Sequence, residues 1–182
     1  MLRRTSASLI AVLLLAGCGG ASKIQPVPSQ SPSSKFEIPQ DCEKTSVNQA
    51  LSEIVKGSIY IPTQWKPAAG TELADFLNNK GLACSYGLQS AEIGVTARWV
   101  SDSTQLFEKR VDGWLASGYS KVTLDGISTD DAYFLLKKQS PSQEFHIWSL
   151  NFKYQGAWLS LNCTSFAQDL NAGLPIVKSM IA

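Results

Sequence analysis

The sequence predicts an α+β domain: an antiparallel sheet of about six strands, with helices before, within and after it that pack mainly on one face. Three observations predict it. Apolar residues recur at helical spacing up to Gly81 and then at every second position, a change of period from 3.6 to 2. The alternating stretches come in pairs joined by short turns, a connection open only to antiparallel strands. A helical stretch ended by Gly118 interrupts the strands once, and another helical stretch closes the chain.

Ser46, with Gln49 three residues on, has capping-box spacing, and Val47, Ala50, Leu51, Ile54 and Val55 share one face of a helix that Gly57 stops. Ser58 to Pro62 reads as a short edge strand and Thr63 to Gly70 as a loop. Thr71 caps a second helix, with Leu73, Phe76 and Leu77 inward and Gly81 at its end. Leu82, Cys84, Tyr86 and Leu88 then fall on one side of a strand. Ile93, Val95, Ala97 and Trp99 fall on one side of the next, so the two form a hairpin turning near Ser90.

Asp102 or Ser103 caps a third helix, whose Phe107, Val111, Trp114 and Leu115 form an apolar stripe before Gly118. Tyr119 to Leu124 and Ala132 to Lys137 make a second hairpin across Asp125 to Asp131. Gln143 to Tyr154 and Ala157 to Cys163 make a third, closed by Gln155-Gly156. Ser165 with Gln168 repeats the capping-box spacing ahead of a last helix that carries Leu170, Leu174, Val177 and Ile181, with Pro175 marking a kink or restart.

Ahead of this domain, Arg3 and Arg4, an apolar run from Leu9 to Ala16 and the small pair Ala16-Gly17 follow the grammar of a secretory signal. The run is too short to span a bilayer, which takes about 20 apolar residues. Leu15-Ala16-Gly17-Cys18 resembles the bacterial lipobox. That resemblance implies removal of residues 1–17, diacylglycerol on the Cys18 thiol and a chain anchored by lipid to the extracytoplasmic face of the cell membrane. Acyl burial contributes about 0.8 kcal/mol per methylene, so two or three chains hold durably.

Residues 18–41 read as the lipidated cysteine and a Ser/Pro linker with little to bury. A coil of about 20 residues reaches roughly 25 Å. Residues 42–182 are one domain's worth of sequence and hold every aromatic residue but Phe36. Without Arg3 and Arg4 the basic count is 16 − 2 = 14 against 15 acids, a net charge of −1. The densest basic runs, Lys109-Arg110 and Lys137-Lys138, read as solvated faces, and nucleic acid is not an expected partner.

Cys42, Cys84 and Cys163 remain for disulfide formation in an oxidising compartment, and an odd count leaves one thiol over. Loop entropy gives about 3.9 kcal/mol for a Cys42–Cys84 bridge and about 4.5 for Cys84–Cys163, too close to choose. Strand alternation points both Cys84 and Cys163 inward, while Cys42 stands where it would staple the first helix to the sheet. Both pairings stay open.

A lipobox and linker, a cysteine just before the first helix, Gly81-Leu82-Ala83-Cys84-Ser85-Tyr86 opening the sheet, Asp131-Ala132 after the middle hairpin and a closing helix together resemble small actinobacterial envelope lipoproteins of unknown function. In that group a Cys-x-Trp commonly stands where Cys84-Ser85-Tyr86 stands here; Tyr86 departs from it and Cys163 is extra. The resemblance implies a mixed α/β domain that binds partners without catalysis.

Catalytic chemistry has few carriers. His146 is the only histidine, so an envelope hydrolase would need it or paired acids in a cleft, and no Gly-x-Ser-x-Gly elbow is present. The cysteines lack the close pair of a zinc site, Asp125, Asp130 and Asp131 miss EF-hand spacing, and no phosphate loop appears, so neither metal nor cofactor is expected. Trp148, Phe152 and Tyr154 lie on one face of their strand with His146 and Leu150. They line a ligand groove if the helices cover the other face, and form core if the helices cover theirs. The expected role is a non-enzymatic, membrane-anchored binding or accessory module for an envelope protein, glycan or lipid, with the hydrolase as the alternative. A transporter's solute receptor would want two lobes around a cleft.

Overall fold

In the structure, a computed structural model, residues 35–138 and 146–182 are described. Cys18, the signal, the linker up to residue 34 and residues 143–145 of the expected strand Gln143 to Tyr154 lie outside them.

The elements are α1 (Val47–Ile54), β1 (Ile59–Ile61), α2 (Glu72–Asn78), β2 (Leu82–Leu88), β3 (Ile93–Ser101), α3 (Glu108–Ala116), β4 (Ser120–Lys121), β5 (Ala132–Lys138), β6 (His146–Tyr154), β7 (Ala157–Thr164) and α4 (Leu170–Ser179). All seven strands form one antiparallel sheet in the order β1-β2-β3-β7-β6-β5-β4. The stretch Ser58 to Pro62 supplies the seventh strand, at one edge. The chain runs β1 to β3 from that edge to the centre, crosses through α3 to β4 at the far edge, and meanders back until β7 pairs with β3. Only two residues of the expected strand Tyr119 to Leu124 enter the ladder.

Strand alternation builds two cores. Leu82, Cys84, Tyr86, Val95, Ala97, Trp99, Leu159, Leu161 and Ala132 face a large cluster capped by Val47 and Leu51 of α1 and by Leu174, Ile176 and Val177 of α4. Their chain neighbours Val100, Trp158 and Tyr133 point the other way, where Phe76 of α2 and Phe107 and Trp114 beside and on α3 complete a smaller cluster. The expectation of helices mainly on one face therefore covers only α1 and α4. Alternate apolar positions on β3, β5 and β7 also call for cover, and α2 and α3 supply it.

Three helix details depart from the spacing rules. Ser46 makes no side-chain cap, and the carboxylate that accepts an amide just before α1 is Asp41, from Glu43 N at 3.0 Å. Ser165 sits at φ 68 and caps nothing; Asp169 caps α4, accepting from Ala172 N at 2.9 Å. Leu115 is 49 % exposed, because it falls about 100° around the helix from buried Trp114. Thr71 caps α2 as expected, accepting from Ala74 N, and Pro175 lies inside α4 without ending it.

Cys42 and Cys84 form a disulfide with Cα atoms 5.5 Å apart, and Cys163 is a buried free thiol. The Cys84–Cys163 alternative fails on strand order. Cys84 pairs in register with Ala97 and Cys163 with Val95, so β3 stands between them. Two strand spacings are about 10 Å, beyond the roughly 7 Å a disulfide spans.

Ahead of Cys42, Phe36 and Ile38 pack on the large cluster. The folded part therefore takes in residues that composition alone assigns to the linker: the Phe36 ring finds Tyr154, at 5.6 Å between centroids.

Candidate functional site

Of the three aromatic residues considered as a ligand surface, two belong to the core. Trp148 and Phe152 are fully buried, and the Trp148 indole donates to the Asp169 carbonyl at 2.7 Å beneath α4. The groove reading is thereby overturned for them, because α4 covers that face of β6. Tyr154, at the end of β6 and half-buried, is the one that reaches an open cavity.

This cavity, about 550 Å³, lies at the end of the sheet. Tyr154, Gln155 and Gly156 come from the β6–β7 turn, and Gly126, Ile127, Ser128 and Asp130 from the β4–β5 connection. Lys35 and Ile181 complete the lining. The turn reverses in two residues because Gln155 and Gly156 both take positive φ, 47° and 79°.

Phe36 N donates to the Gln155 carbonyl at 3.3 Å, so the incoming chain is bound to the same turn. Gln155 Nε2 in turn donates to the Tyr154 hydroxyl at 3.3 Å. One ammonium, one carboxylate, a side-chain amide, two hydroxyls and an aromatic ring surround the space. That mixture suits a small polar ligand presenting both donors and acceptors to an apolar wall.

No family model, curated protein or solved structure matches this chain. Its functional reading rests on these residues.

The candidates for catalysis and metal binding are not gathered at the cavity. His146 is buried at the start of β6 with Nε2 against the Ala167 carbonyl oxygen. Cys163 is 2 % exposed, and burial pushes its thiol far above the ordinary range, so the nucleophilic thiolate does not form at neutral pH. Asp131 pairs with Lys121 and Asp130 lines the cavity. Among the described residues no group of three or more His, Cys, Asp or Glu stands close enough to hold a metal ion.

Asp102 and Glu108 are brought together by Lys153, which lies between them at 3.2 and 2.5 Å. Partial burial works against charge on Lys153, but the two carboxylates hold its ammonium above the usual range. Both acids are held by the one ammonium, and together with Arg110–Asp75 at 2.6 Å these pairs tie α2 and α3 in place. Arg110 is thus no free solvated charge.

Sequence reasoning missed Lys35, Ser128 and Gln155. Ser128 and Gln155 sit in or beside turns and Lys35 in the irregular approach to the domain, where the chain carries no period to read, and only the Gln155-Gly156 turn signal marked the place.

Proposed function

We propose that this chain is a lipid-anchored extracytoplasmic binding module of the bacterial envelope, tethered through Cys18, with the cavity at Tyr154 as the surface offered to an envelope protein, glycan or lipid. The Cys42–Cys84 disulfide carries the reading. Such bonds persist in oxidising compartments, the side to which Leu15-Ala16-Gly17-Cys18 would send the chain. The bridge staples the domain where the linker meets it, which is where a tethered domain is most open to fraying and proteolysis. The buried setting of His146 gives an envelope hydrolase no support.

Cys18→Ala tests the tether. The expected outcome is a chain that is unprocessed or shed, while intact-mass analysis of the native protein finds residues 1–17 missing and acyl mass on Cys18. Unchanged membrane partition of the variant would refute the anchor. For the surface, Tyr154→Ala combined with Asp130→Ala is expected to lose partners captured from the envelope while the fold persists.

A further inference from the structure

On the face covered by α2 and α3, three buried polar atoms stand next to one another with no hydrogen-bond partner among the described residues: Arg98 Nε, Ser160 Oγ and Asn151 Nδ2. Ser160 and Asn151 are fully buried and Arg98 is 8 % exposed. Register makes them neighbours, because Arg98 lies opposite Ser160 across β3–β7 and Asn151 lies opposite Ser160 across β6–β7. Directly opposed side chains have Cβ atoms about 4.5–5.5 Å apart, so Ser160 sits between an N–H donor on each side.

The rest of each group is committed elsewhere. Asn151 Oδ1 accepts from the Trp158 indole at 3.0 Å, and Arg98 faces Glu72 at 3.7 Å with its guanidinium carbon 5.3 Å from the Phe76 ring centre.

A buried polar group left unpaired loses its hydrogen bonds to water and gains none in return, so three side by side would take a large share of a domain's small net stability. A bound acceptor removes that penalty. We propose that a resident water molecule is held here, accepting from Arg98 Nε–H and Asn151 Nδ2–H and donating to Ser160 Oγ.

The count of bonds matches the roughly three that an internal water makes. Charge favours water over a small anion, because Arg98 already faces the Glu72 carboxylate and a second negative charge would lie beside it out of solvent. The consequence is a wet seat under α2 and α3.

The test is water–protein cross-relaxation by NMR on the full chain, labelled with nitrogen-15. Expected are cross-peaks from the water resonance to Arg98 Nε–H and to the Asn151 side-chain amide, with the sign of a water that stays longer than the molecule takes to tumble. Ser160→Ala should weaken both at least about twofold, since one of three bonds is gone. Absence of both cross-peaks in the parent chain would overturn the proposal, as would full intensity in the variant. Saturable movement of these two N–H resonances on titration with sodium formate would overturn it in favour of an anion site. The parent measurement decides even if the variant does not fold.

Discussion

The phenol of Tyr86 donates a 2.8 Å hydrogen bond to the carbonyl oxygen of Cys42, whose sulfur is bonded to Cys84 two positions before Tyr86. The same hydroxyl lies 2.6 Å from Thr45 Oγ1. Strand β2 therefore grips the start of the domain twice, once covalently and once through a side chain on the same face. A tryptophan at position 86 could not accept from Thr45, so the tyrosine gives this junction a second partner.

The covalent grip should be worth about 4 kcal/mol as an upper figure, from the loop entropy of a bridge spanning 42 residues. Cys42→Ser with Cys84→Ser, compared with the oxidised parent by urea unfolding, should lose several kcal/mol. Amides of α1 should lose hydrogen-exchange protection before those of β3 and β7. Equal stability of the two forms would contradict the staple.

The hydrogen-bonded grip gives a pH signature. Burial, offset in part by the bond from Thr45, pushes the Tyr86 phenol up to about 12 from an unfolded value near 10. The folded state thus favours the neutral form. Its contribution is complete below about pH 10 and is lost as pH rises toward 12. Absorbance titration at alkaline pH should show a late phenol that Tyr86→Phe removes; the variant should also begin about 1 kcal/mol less stable. Burial raises Tyr119 too, so a second delayed phenol should persist in that variant.

Gly173 is where α4 meets the Trp148 ring. A Cβ built on it would lie 2.3 Å from Trp148 Cζ2. Gly173→Ala, favourable by about 1 kcal/mol in a free helix, should instead destabilise by about 1–3 kcal/mol through overpacking. Trp148 fluorescence should report the shift, and a stabilised variant would mean that the helix moves away at no cost.

Cys163 should not react with an aromatic disulfide reagent in the native protein at pH 8, and should react fully once urea has unfolded it. Burial both shields the thiol and keeps it protonated. Rapid native reaction would show that β7 opens locally.

Several features of this domain were legible as a string of residues because they are local. Thr71 caps α2, Gln155-Gly156 closes β6–β7, and the faces of β2 and β3 follow from period-2 alternation, since each depends on residues a few positions apart. Ser46 and Ser165 show the limit of that reading. Each has the spacing of a cap, but Asp41 and Asp169 present carboxylates where the backbone turns.

Alternation assigns Cys84 and Cys163 to the same face and leaves their separation open, because the distance depends on which strands are neighbours. Likewise it places Trp148, Phe152 and Tyr154 in one row without saying what covers the row. Those matters were decided in three dimensions: β3 lies between the two thiols, α4 buries two of the aromatics and leaves Tyr154 at the cavity, and α2 and α3 close the reverse face. Local periodicity is written into neighbouring residues, whereas strand order and the cover of each face emerge from contacts between residues far apart in the chain, each favourable only once the others have formed.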